Sequence, residues 1–67
     1  MAQVNNVSKE ETVKLIQEYR DQGHSLELLS AVLERSFQSV YLWSQGKRRP
    51  RKGDFELIKR LVEEGKL

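Results

Sequence analysis

Five cationic side chains occupy six consecutive positions in the second half of the chain: Lys47, Arg48, Arg49, Arg51 and Lys52, interrupted only by Pro50. They follow directly on an apolar and aromatic segment, so that residues 36–52 read SFQSVYLWSQGKRRPRK. The formal net charge of +2 conceals this concentration. Residues 1–34 hold three basic and six acidic residues, residues 35–53 six basic and no acidic ones, and residues 54–67 three basic and four acidic. Charge gathered in this way is the electrostatic footprint of a surface for a polyanion. On charge alone, a solvated loop is an equal reading, and the neighbouring elements have to decide.

Other chemistry is poorly provided for. The absence of Cys excludes disulfides, a thiolate metal site and a cysteine nucleophile. His24, the one His, cannot build a zinc site alone, and it precedes a helix, where a turn residue is expected. The pairs Glu10, Glu11 and Glu63, Glu64 read as solvated helix ends. There is no nucleophile–base pair and no glycine loop to cradle phosphates, so the expectation is a protein that binds and does not catalyse, with no cofactor and no metal. No apolar run approaches the roughly 18 residues of a membrane span. The N-terminus MAQVNNVSKEE lacks the features of a signal peptide. The chain reads as soluble and intracellular, and, beginning with Met, as a complete small protein.

Positioning the basic run falls to short helices. Residues 1–7 read as a flexible arm and 8–67 as one domain. Ser8 is a candidate N-cap, with Glu11 completing a capping box. Val13, Ile16 and Tyr19 follow at helical spacing, and Gly23 is a natural terminator, which predicts a helix over about 9–22. Ser25 caps a second helix with the stripe Leu26, Leu29 and Leu33, Leu28 and Val32 standing beside it. No Gly or Pro interrupts 25–45, which one long helix would also satisfy. A break near Glu34 to Ser36 is favoured because Ser36 can cap a third helix in which Phe37, Val40, Trp43 and Ser44 share one face, Val40 and Trp43 as core. Gly46 ends that helix and Pro50 prevents its resumption. Asp54 is the expected N-cap of the last helix, with the stripe Phe55, Ile58, Leu61 and Val62, ended by Gly65. A chain of 67 residues buries only about 60% of its unfolded surface and has no disulfide staple. Efficient helix packing, with or without dimerisation, must hold it.

If Val40 and Trp43 are buried, the opposite face of their helix carries Gln38, Tyr41, Leu42 and Gln45, with Phe37 and Ser39 at its shoulders. Phe37 fits core and surface equally. Residues 25–50, SLELLSAVLERSFQSVYLWSQGKRRP, resemble the helix-turn-helix of the Cro and phage-repressor family, also called XRE-like. The match is best over 36–50, with Val40, Trp43, Gly46, the basic residues and Pro50 in the expected order. Ser30 stands where the family often has Ala, Glu34 where it has Gly, Arg35 where an apolar residue is common, and Ser44 where Glu is frequent. A non-glycine residue in a left-handed turn costs about 1 kcal/mol.

The resemblance implies an all-α, lambda-repressor-like bundle of four short helices whose helix from Ser36 to Gln45 enters the major groove of duplex DNA. It places Phe37, Gln38 and Leu42 at base-contacting positions, with Tyr41 a neighbour that reaches a base or a phosphate. Gln38 suits adenine N6 and N7, while Phe37 and Leu42 can only press on thymine methyls. Ser36, Gln45, Lys47, Arg48, Arg49, Arg51 and Lys52 are the implied phosphate contacts, Arg51 reaching toward the minor groove. The implied function is a small Cro-like transcriptional repressor of a phage or mobile element. It would be a homodimer at least on DNA, and cytoplasmic in a bacterial or phage-infected cell. Three other readings stay open. One is an excisionase-like architectural or recombination accessory factor. Another is a protein-interaction module using Phe37, Tyr41 and Leu42. The third is an RNA-binding protein, although neither an aromatic sheet nor a GxxG signature is present.

Overall fold

Serines begin three of the four helices. The structure, a computed structural model, describes residues 7–66. It consists of α1 (Lys9–Asp21), α2 (Leu26–Leu33), α3 (Phe37–Ser44) and α4 (Lys52–Gly65), with no strand among the described residues. Ser8 Oγ accepts from the Glu11 N–H at 3.2 Å, Ser25 Oγ from the Leu28 N–H at 3.0 Å and Ser36 Oγ from the Ser39 N–H at 3.2 Å. Each bond satisfies one of the N–H groups that a helix start leaves unpaired, worth about 1 kcal/mol.

The helix ends use left-handed backbone. Gly23 after α1 has φ 95° and Gly46 after α3 has φ 74°. After α2 the same conformation falls on Glu34, at φ 57° and ψ 43°. Its N–H donates to the Ala31 carbonyl at 3.2 Å and the Arg35 N–H to the Ser30 carbonyl at 3.0 Å. This is the paired closure that usually has glycine at its centre. The α2–α3 break is therefore made by Glu34 at a steric cost. Glu34→Gly is expected to raise stability by about 1 kcal/mol, read as a higher urea midpoint; an unchanged or lower midpoint would contradict the strain.

The core draws two residues from every helix: Ile16 and Tyr19, Leu29 and Leu33, Val40 and Trp43, Ile58 and Val62. Leu15, Leu26 and Leu61 pack against it half-buried. α1 packs on both α3 and α4, and α3 on both α1 and α2, giving an all-α four-helix bundle. Burial pushes the Tyr19 phenol above its ordinary range. At the C-terminal end of α1, Gln22 Nε2 donates to the Val62 carbonyl at 2.9 Å, joining the ends of α1 and α4. Gly65, the last residue of α4, lies so close to the Gln22 amide that a side chain there would collide with it. No helix among the described residues is long and apolar enough to cross a membrane.

Three expectations are corrected and one is refined. Residues 1–6 of the supposed flexible arm lie outside the described residues, but Val7, assigned to the arm, is buried. The last helix starts three residues early, at Lys52, and its N-cap is Arg51, which makes no side-chain cap bond. Asp54 is not a cap. It is buried, and its Oδ2 accepts from Arg35 Nε at 3.1 Å, tying the start of α4 to the α2–α3 turn. Leu28 and Val32 are exposed on the outer side of α2, about half of each reaching solvent.

Candidate functional site

α3 is fastened to the bundle along one side by Val40 and Trp43. Its eight residues, FQSVYLWS, include no charged side chain. Gln38, Tyr41 and Gln45 are exposed, as the helical spacing predicts, and Phe37, which the spacing put beside Val40 and left open between core and surface, is exposed too. Phe37 belongs to the surface: it is 46% exposed, as is Tyr41, and the two rings stack with centroids 6.3 Å apart and planes 23° from parallel. Leu42, expected on the open face, is half-buried. By helical angle it stands as far from the Val40–Trp43 stripe as Tyr41 does, so its partial cover comes from neighbouring elements and not from its place on the helix.

Two serines on this segment have structural partners. The Ser36 hydroxyl accepts from the Ser39 N–H and donates to Ser39 Oγ at 3.0 Å. Ser44 Oγ donates to the Tyr41 carbonyl at 2.6 Å. The Ser36 hydroxyl, assigned to a phosphate on resemblance, is thus used to start α3.

Termination of α3 aims the basic run. The Gly46 N–H donates to the Trp43 carbonyl at 3.1 Å and the Lys47 N–H to the Leu42 carbonyl at 3.0 Å, closing the last turn. A Cβ on Gly46 would sit 3.3 Å from Val13 Cγ2. Glycine is therefore needed here both for its positive φ and for the approach to α1. The chain then emerges as Lys47, Arg48 and Arg49, all exposed. Pro50 is buried and anchors the segment midway. Arg49 borders a shallow surface depression shared with Val7, Ser8, Lys9 and Glu10 at the start of α1.

The run is not wholly a loop. Arg51 is the N-cap of α4 and Lys52 its first residue, both exposed. Cations at a helix N-terminus oppose the macrodipole by about 0.3–1 kcal/mol each at exposed sites. Asp54, the acid of that first turn, has its carboxylate on Arg35. Positive charge is thus maintained at the start of α4 against the local preference of the helix. The pairing also commits the Arg35 guanidinium to Asp54, although Arg35 belongs to the basic stretch by sequence. Sequence reasoning missed the Arg35–Asp54 link and the buried Pro50. A basic residue at a turn position where an apolar one is common was the available signal for the first.

The rest of the surface offers little else. His24 packs its ring against Tyr19, with centroids 4.5 Å apart and planes tilted by 34°, as befits a turn residue. Glu10, Glu11, Glu63 and Glu64 are exposed at the helix ends. No group of three or more His, Cys, Asp or Glu side chains among the described residues could hold a metal ion. No protein-family model matches the chain, and no curated protein and no solved structure matches it either.

Proposed function

We propose that the chain binds duplex DNA sequence-specifically, α3 lying in the major groove and the segment 47–52 along the phosphates, with α2, the Glu34 turn and α3 acting as a helix-turn-helix. The observation that carries this reading is continuity. The exposed, uncharged face of α3 passes through Gly46 directly into exposed cations, including two that burden the start of α4. Base edges need hydrogen-bonding and apolar groups, while phosphates need charge. The two kinds of surface lie side by side in that order.

Such a module can repress transcription by occupying an operator and excluding polymerase, as the resemblance to Cro-like repressors suggests. One helix with about five phosphate contacts gives modest affinity. A two-fold dimer on half-sites about 34–36 Å apart is the usual reinforcement. The test is a salt titration of binding to a random-sequence duplex pool. Five phosphate contacts predict a slope of log K on log salt of about −4.5. Absence of duplex binding at low salt, or binding indifferent to salt, would overturn the proposal. Sequencing the bound fraction then gives the half-site: a palindrome fits a dimeric repressor, and direct or absent repeats fit an architectural factor.

A further inference from the structure

Guanine is most often read in the major groove by a forked pair of hydrogen bonds from Arg or Lys to O6 and N7. α3 has neither residue. Instead its first two turns present Phe37 and Tyr41, one helical turn apart, each 46% exposed and stacked on the other as a continuous apolar ledge. Gln38 stands beside them, exposed, with an amide whose donor and acceptor match adenine N6 and N7. Among the groups a base pair displays in the major groove, the C5-methyl of a pyrimidine is the apolar one.

We propose that the Phe37–Tyr41 ledge is a reader of the pyrimidine C5-methyl group and sets the base preference of α3. The inference rests on the duplex-DNA reading above. Both aromatic faces are already exposed and held in place by mutual stacking, so covering a methyl requires no rearrangement of α3. The methyl can come from thymine or from 5-methylcytosine. Gln38 favours thymine, because its amide complements the adenine of the same or the adjoining A·T pair.

The experiment starts from the duplex recovered by selection and replaces each thymine in turn by uracil. This leaves base pairing intact and removes only the methyl. At one or two positions affinity is expected to fall about fourfold, the equivalent of burying one methyl-sized group. In Phe37→Ala or Tyr41→Ala that penalty is expected to shrink toward onefold while the salt slope stays unchanged. Phe37→Leu should preserve part of it. At the same position, 5-methylcytosine opposite guanine is expected to bind about fourfold better than cytosine, which identifies the methyl itself as the recognised group. Circular dichroism of each variant confirms the fold, and any one folded variant suffices for the comparison. Uracil tolerated at every position overturns the inference and leaves DNA binding intact. So does a penalty that persists undiminished in every folded ledge variant, or equal binding of cytosine and 5-methylcytosine. Failure to bind any duplex overturns both.

Discussion

Trp43→Ala is expected to lower the stability of the domain by about 3–5 kcal/mol. Trp43 is 5% exposed and lies in a core supplied by only two residues from each helix. Domains have about 0.05–0.15 kcal/mol of stability per residue, so a chain of 67 residues has about 3–10 kcal/mol in all. The substitution removes from a third to the whole of it. Neighbouring Val40 cannot fill the gap without shifting α3, because α1 and α2 both pack on that helix. The expected result is loss of far-UV circular dichroism at 25 °C, or a urea midpoint near zero. Retention of an unfolding free energy within about 0.5 kcal/mol of the parent would show that Trp43 does not anchor α3.

Replacing Lys47, Arg48 and Arg51 together by alanine is expected to affect binding and leave the fold in place. All three residues are exposed, and Arg51 makes no side-chain cap bond. Removing Arg51 also takes one cation from the positive end of α4, so stability should hold or rise by a few tenths of a kcal/mol. With five phosphate contacts, raising salt from about 50 to about 200 mM weakens duplex binding about 500-fold. With two left the same step costs about twelvefold, as the slope falls from about −4.5 to about −1.8. An unchanged slope in a folded variant would remove these residues from the phosphate contacts. A lower melting temperature would instead give them a structural role.

Much of the fold was legible because its boundaries are local chemistry. Ser8, Ser25 and Ser36 each bond an N–H three residues on, and Gly23 and Gly46 take up positive φ two residues past a helix end. Such signals need only a few neighbouring residues. Glu34 was recognisable as standing where glycine is usual, and the chain accepts the strain instead of relocating the turn. What sequence could not supply was non-local. Asp54 looks like a cap when the search begins after Pro50, but its carboxylate pairs with a guanidinium nineteen positions earlier. Val7 looked like arm because a single apolar residue has no periodicity, and only the folded bundle shows it buried. On the candidate surface, Gln38, Tyr41 and Gln45 follow from the helical angle to Val40 and Trp43. Phe37 sits at the margin of that angle and is exposed, while Leu42 sits well outside the buried stripe and is half-buried, so in both the neighbouring elements decide.

The Arg35–Asp54 pair also constrains the order in which substitutions can accumulate. Its two members are unequal: the Asp54 side chain is 8% exposed and that of Arg35 45%. Loss of Arg35 first strands a buried carboxylate without its partner, a penalty of about 1–3 kcal/mol. Loss of Asp54 first leaves a guanidinium that can turn into water. A lineage can therefore shed the acid and afterwards the base, but the reverse route passes through a weakened intermediate. While Asp54 remains, position 35 is held to a cation, and the α2–α3 turn inherits its composition from a residue nineteen positions further along the chain.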